Sequence, residues 1–199
     1  MESLVKRIKA LPMSDIEIEL WYYFRKLRVA SAQIKRAQSN YYDLTLEQRR
    51  EFLNAPSTYH LCKTIVMENT AYDESASKDP FYPKHVAVIV QYEGRMNAER
   101  VMKFMKDYQN ANSPHKLPRK AFHFRLADEE VAKELTGYGY NAITPFLMKT
   151  NIPIIISKSV TELTPKFFWM GGGEVELKLG MSVDEFLGLT KAHIVDIGY

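Results

Sequence analysis

From Tyr59 onward the chain alternates apolar runs of strand length with stretches of helical spacing, and no apolar run is longer than a strand. That texture limits the possible folds more than any other feature. His60 to Met67 is rich in β-branched and apolar residues and predicts a strand. His85 to Tyr92 predicts a second, apolar enough to be buried on both faces. A helix follows over about residues 97–108, with Val101, Phe104, Met105 and Tyr108 on one face. A short strand, Phe122 to Leu126, leads to Asp128, positioned to cap a helix running through Leu135. Ile152 to Ser157, Lys166 to Met170 and Glu174 to Leu179 predict three more strands, with Gly171-Gly172-Gly173 as a tight turn or bulge between the last two. Ser182-Val183-Asp184-Glu185 has the form of a capping box opening a last helix, and His193 to Ile197 a last strand. The class is α/β (mixed α+β): a single compact domain with a mixed β-sheet flanked by helices. Whether the strands pair parallel or antiparallel stays open.

Before Tyr59 the texture is helical. Ser14-Asp15-Ile16-Glu17 and Thr45-Leu46-Glu47-Gln48 both have the capping-box form, and Asn54-Ala55-Pro56-Ser57 breaks the second helix. Leu20, Tyr23, Phe24, Leu27 and Val29 fall near helical spacing among basic residues. The expected organisation is a helical N-terminal extension over residues 1–57 and one domain over 58–199.

Several function classes drop out. The N-terminus mixes charge and apolar residues too early for a signal peptide, and no stretch approaches the roughly 20 apolar residues of a membrane helix. The expectation is a soluble, cytoplasmic protein with no membrane partner. The single cysteine, Cys62, excludes an internal disulfide and a Cys-based zinc site. A net charge of +3 permits an RNA partner without requiring one. There is no Walker loop, no dinucleotide-binding glycine fingerprint, no nucleophile elbow and no zinc helix. The five histidines show no metal spacing, so neither a cofactor nor a metal is expected. Cys62 lacks a neighbouring base and reads as a packing residue. Lys63 is more informative: between Leu61 and Ile65 it is either a pocket cation needing an anion or a strand lysine whose head reaches water.

Four segments in order carry a resemblance: Cys62-Lys63-Thr64-Ile65-Val66; Phe124-Arg125-Leu126-Ala127-Asp128-Glu129-Glu130; Leu135-Thr136-Gly137-Tyr138 running into Ala142-Ile143-Thr144-Pro145-Phe146; and Glu174-Val175-Glu176-Leu177-Lys178-Leu179. Across about residues 58 to 197 the chain resembles the YbaK and prolyl-tRNA synthetase editing-domain superfamily. The resemblance implies a hydrolase that cleaves wrongly charged aminoacyl-tRNA, with tRNA-Pro carrying Ala or Cys as the first substrate choice. It implies aminoacyl-tRNA as partner, together with an aminoacyl-tRNA synthetase or multisynthetase complex.

By the same resemblance Lys63 lies in the substrate pocket, and the loop Asn141-Ala142-Ile143-Thr144-Pro145 brings backbone amides to the aminoacyl carbonyl. Asn141 stands where the family usually has glycine. Asn is among the commonest non-glycine residues in a left-handed conformation, so the loop can keep its shape. Fixed amides stabilise the charge of an ester-cleaving transition state, and an activated water is the implied attacker. Thr64, Tyr138, Tyr140, Phe146, Gly171 and Gly172 complete the expected substrate-binding set. Lys116, Arg119 and Lys120 are expected to touch the tRNA acceptor stem. The rival reading is a non-catalytic tRNA-binding or synthetase-associated scaffold.

Overall fold

Helix α1 (Asp15–Lys26) forms because Ser14 Oγ accepts the Glu17 N–H at its start, and it turns Leu20 and Phe24 into the core. It stops at Lys26, short of the periodicity suggested by Val29, because Arg28 takes a left-handed φ of 58°. The computed structural model describes residues 13–76 and 79–198; the first half of the segment read as no signal peptide lies outside them.

The helical reading of residues 1–57 misses a strand. β1 (Gln33–Arg36) pairs antiparallel with β7 (Leu177–Ser182), which also pairs antiparallel with β6 (Phe167–Gly171). Four residues with three polar side chains carry no local strand signal; β7 supplies it. Helix α2 (Leu46–Leu53) follows, opened by the full capping box of Thr45 and Gln48 and closed by Asn54 at φ 56°.

The second sheet has five strands, in the order β4-β2-β3-β5-β8. These are β2 (Cys62–Asn69), β3 (His85–Gln91), β4 (Phe124–Leu126), β5 (Ile154–Ser157) and β8 (His193–Val195). β2 pairs antiparallel with β3 and β4, whereas β3, β5 and β8 run parallel. The mixed α/β expectation therefore holds, with the pairing now known. β3 is buried on both faces as expected: Val86, Val88 and Val90 pack under α3 (Ala98–Asn112), while Ile89 joins the core between the two sheets. In that inter-sheet core Phe168, Phe186 and Phe146 stack edge to face, each buried aromatic contributing roughly 1.5–3 kcal/mol.

Three local expectations change. Asp128 precedes α4 (Glu129–Thr136), but its side chain makes no capping bond. The strand read as Glu174 to Leu179 begins at Leu177, because Gly172 N–H reaches Leu177 O and Leu177 N–H reaches Glu174 O, closing a turn over residues 172–176. Between β5 and β6 lies one short helix, α5 (Lys158–Thr161). At α6 (Val183–Thr190) Ser182 caps Glu185 N–H, yet the Glu185 carboxylate does not fold back. It accepts from Ala30 N–H (2.7 Å) and Ser31 N–H (2.8 Å), tying the N-terminal segment to the start of α6. No described helix is long and apolar enough to cross a membrane.

Candidate functional site

β2 lies in the five-stranded sheet, just after an isolated parallel bridge from Leu61 to Trp169 of the other sheet, and the site opens between that bridge and β4. Ala87 N–H donates to Pro153 O on the β5 side, so the facing pair Val66–Ala87 is not hydrogen-bonded. By the antiparallel alternation neither is Thr64–Ile89, two residues back. The Thr64 N–H and C=O therefore point away from β3. At Val66 this outward edge is taken by Ala127 N–H (2.9 Å), and just before β2 Leu61 makes an isolated bridge to Trp169 of β6. At Thr64, among the described residues, no strand takes it.

A cavity of about 390 Å³ lies on this open edge, at the small end of the roughly 300–1,000 Å³ common for small-molecule sites. Residues 63–66 form its floor, and Ile143 with Ala132 gives it an apolar side. Lys63 is exposed, its ammonium 5.5 Å from the centre of the Tyr92 ring, and no ion pair holds it among the described residues. Of the two readings left open for Lys63, its head does reach water, and it does so at the cavity. Thr64 is 6% exposed and its hydroxyl oxygen has no protein partner among the described residues.

The loop after α4 closes the cavity. Gly137 ends the helix at φ 84°, and Tyr138 Oη donates to Phe146 O (2.8 Å) and Leu147 O (3.2 Å), clamping the loop's two ends. Asn141 has a φ of 61°, the left-handed conformation expected of it. Three carbonyls anchor the loop from behind. Tyr42 Oη donates to Asn141 O (2.7 Å), and Gly173 N–H to Ala142 O (2.8 Å). Ile143 O packs on Gly171 so closely that a Cβ there would lie 2.5 Å from it.

In a trans peptide the C=O and the next N–H point in opposite directions. Holding Ala142 O and Ile143 O at the glycine turn therefore turns the Ile143 and Thr144 N–H groups the other way. Neither has a protein acceptor among the described residues, whereas Ala142 N–H is used on Gly139 O (3.1 Å). The loop thus offers two adjacent amide donors, from Ile143 and Thr144, and Ala142 serves as an anchor.

Of the expected site residues, Lys63, Thr64, Tyr138, Tyr140, Asn141, Ile143 and Gly171 line the cavity. Phe146 does not: it is 3% exposed and packs against Phe24 and Phe186. Gly172 faces Leu177 instead, Pro145 is buried beside the loop, and Thr144 is fully buried. Lys116, Arg119 and Lys120 stand apart from the cavity, beside α3. Lys116 Nζ binds the Asn110 and Ser113 carbonyls, Arg119 pairs with Glu99 at 2.7 Å, and Lys120 is exposed.

Sequence reasoning missed Tyr42, Arg49, Tyr92 and Lys178. Lys178 is 3% exposed, on β7, with its ammonium 4.5 and 4.4 Å from the Tyr41 and Tyr42 ring centres. Burial, then the nearby Arg49, lowers its pKa to about 8. The Arg49 guanidinium lies over the same two rings and that of Tyr92. The signal was present in the sequence: Leu177-Lys178-Leu179 sets a lysine in an apolar strand, as around Lys63.

The remaining groups offer no rival chemistry. Burial pushes the Cys62 thiol well up, so it is no thiolate nucleophile. His60 is spent on Ser57 Oγ and Pro165 O. Among the described residues no cluster of His, Cys, Asp or Glu has a metal-holding geometry. A larger, more open depression of about 850 Å³ beside Arg36 has its charge neutralised, since Arg36 pairs with Glu17 (2.6 Å) and Glu174 (3.0 Å).

Comparison with known proteins bears on this geometry. The model of the aminoacyl-tRNA editing domain family matches residues 44–189. A structure solved as a candidate trans-editing enzyme for prolyl tRNA synthetase superposes with a TM-score of 0.70 at 14% identity, over 94% of this chain and 99% of that one. A hypothetical protein gives 0.63 at 20% identity, over 92% and 99%. A scaffold from computational epitope grafting gives 0.69 at 12%, over 94% and 99%. At these identities the likeness is one of fold. No curated protein matches the sequence.

Proposed function

This chain belongs to the aminoacyl-tRNA editing domain family, and from that premise we propose that it hydrolyses the ester linking a wrong amino acid to tRNA. The observation that carries the reading is a pair of adjacent amides, at Ile143 and Thr144, with no acceptor among the described residues, on a loop whose Asn141 and Ile143 line the cavity. Water adds to the ester carbonyl carbon, and the oxygen that gains charge is received by the two N–H groups. The bond to the ribose oxygen then breaks, and that oxygen takes up the proton the water loses, leaving free amino acid and uncharged tRNA. A donor of this kind is worth roughly 10²–10³ in rate. The wall offers no activated side-chain nucleophile, so a water assisted by substrate groups is the attacker.

Lys63 at the mouth receives the negative charge of the terminal nucleotide, and the exposed Tyr140 offers its ring for stacking. The small cavity suits a small side chain, and with the fold likeness to a candidate prolyl editing enzyme we name tRNA-Pro carrying alanine or cysteine as the substrate. The reading carries a cytoplasmic location, with the pool of charged tRNA. It also carries association with a synthetase or multisynthetase complex, to which the exposed Ile18, Trp21 and Tyr22 of α1 are available. Lys116, Arg119 and Lys120 are retained as acceptor-stem contacts. A second reading, a scaffold that binds charged tRNA without cleaving it, is favoured by Asn141 standing where the family usually has glycine. Incubating the protein with a panel of mischarged tRNAs decides between them: selective release of one amino acid supports the deacylase, and retention of every ester on bound tRNA supports the scaffold.

A further inference from the structure

Behind the cavity the N-terminal segment and β7 build a connected polar chain that ends on the amide-bearing loop. Lys178 Nζ donates to Val175 O (2.8 Å) and to Tyr42 Oη (2.9 Å), and Tyr42 Oη donates onward to Asn141 O (2.7 Å). Lys178 is buried, and Tyr42 is half-buried at the cavity's edge. Burial pushes the Tyr42 phenol well above its ordinary range, so it remains a donor at any working pH. Arg49 fixes the near end by donating to Tyr42 O (2.7 Å) and Leu44 O (3.0 Å), with its guanidinium 4.9 Å from the Tyr42 ring centre. Neither Arg49 nor Lys178 has an ion-pair partner among the described residues, although Glu176 lies near enough to favour the Lys178 charge.

A buried ammonium costs stability, and a well-packed apolar residue of similar size is often the more stable choice. A buried ammonium is therefore a poor device for holding the fold, and what it touches points to a local role. We propose that Tyr42 and Lys178 are positioning residues: Lys178 holds the Tyr42 hydroxyl, which holds the peptide plane between Asn141 and Ala142 and so sets the direction of the donors that follow it. That plane follows a non-glycine residue at φ 61°, a conformation less favourable than the right-handed one, so it needs a tether. The donor sequence is directional, which fixes the order of effects. Removing the hydroxyl releases the plane outright, whereas removing the ammonium only loosens the hydroxyl.

The activity arm of the test rests on the deacylase reading; the exchange arm does not. Tyr42→Phe keeps the ring and should lower the single-turnover deacylation rate about tenfold, one lost hydrogen bond's worth, with KM changed less than twofold. Lys178→Met should lower it about threefold, and the double variant should be no slower than Tyr42→Phe, because the two act in series. In the uncharged protein, amide exchange of Ala142 and Gly173 should quicken in both variants while that of α3 stays unchanged. Unaltered exchange at Ala142 and Gly173 overturns the proposal, as does a loss carried wholly by KM or additivity in the double variant. If the wild type cleaves no charged tRNA, the deacylase reading fails, and exchange still decides whether the plane is held.

Discussion

Two lysines interrupt apolar strands in this chain, and the fold treats them oppositely. Lys63 stands on β2 at the cavity mouth with its head in water; Lys178 lies on β7 with almost none of its surface exposed. Both stand in apolar surroundings in sequence, Lys63 two residues from Leu61 and Ile65 and Lys178 between Leu177 and Leu179. What separates them is what covers the strand. β4 pairs with β2 only over residues 67–69 and leaves the Lys63 end open, whereas Tyr41 and Tyr42 close over Lys178. A charged residue in a strand thus marks a place worth inspection, and the partner segment decides whether it meets solvent, ligand or protein.

The contrast can be broken most directly at the open end. Lys63→Ala should lower single-turnover deacylation about a hundredfold with little loss of thermal stability, since its exposed ammonium touches the fold only at the Tyr92 ring and has no ion-pair partner among the described residues. Lys63→Arg should recover only part, because a planar guanidinium is not a compact ammonium. Near-normal rates in both variants would remove Lys63 from the site.

Next in size is the glycine turn that both regions share. Gly171→Ala puts a methyl group 2.5 Å from Ile143 O, which must move. We expect a rate loss of about thirtyfold and a stability loss of about 1–3 kcal/mol from overpacking, read by deacylation and urea unfolding. An unchanged rate would mean that the Ile143 and Thr144 amides do not need the turn.

At the closed end the expected change is in stability and has the opposite sign. In the folded protein Lys178 titrates near 8, against an ordinary 10.5. Between those values the unfolded chain holds more protons than the folded one, so wild-type stability rises with pH through that window. Below it the fold carries the full cost of the buried charge. Lys178→Met should therefore be more stable than wild type at pH 7 by about 1–2 kcal/mol in urea unfolding, and the gap should shrink from pH 8 to 10. A variant less stable at pH 7, with a gap that ignores pH, would show that the ammonium holds the fold together.

The smallest effect is expected at the basic loop. Replacing Lys116, Arg119 and Lys120 by Ala should shallow the salt dependence of tRNA binding by about one to two phosphate contacts, because Lys116 and Arg119 already have protein partners. An unchanged slope in a salt titration would exclude the loop from the RNA interface.

Much of the fold was legible because it is written locally. β3 announces itself by an unbroken apolar run, and α2 by the reciprocal bonds of Thr45 and Gln48. β1 was not legible, because Gln33 to Arg36 becomes a strand only on meeting β7, well over a hundred residues later. The site divides the same way. Lys63, Asn141 and Ile143 could be placed from the segments that contain them, while Tyr42 and Arg49 act through contacts that no spacing in the chain encodes. Phe146 shows the converse: its place beside the loop suggests a substrate-binding residue, but Phe24 and Phe186 bury it in the core. Ala142, in the same loop, is no free donor, because its N–H is bound to Gly139 O, a local turn bond that the loop's sequence does not reveal.

β2 has β3 along the whole of one edge but β4 along the other only over residues 67–69, and at Thr64 that second edge is open to the cavity. The donor and acceptor it presents to the cavity are main-chain atoms, identical for nineteen of the twenty amino acids, with only proline lacking the donor. Drift at position 64 can therefore reshape the cavity wall while leaving this pair of groups in place. Alanine scanning is blind to them for the same reason. Their contribution would show only when the backbone itself is altered, by proline or by an ester in place of the amide at that position.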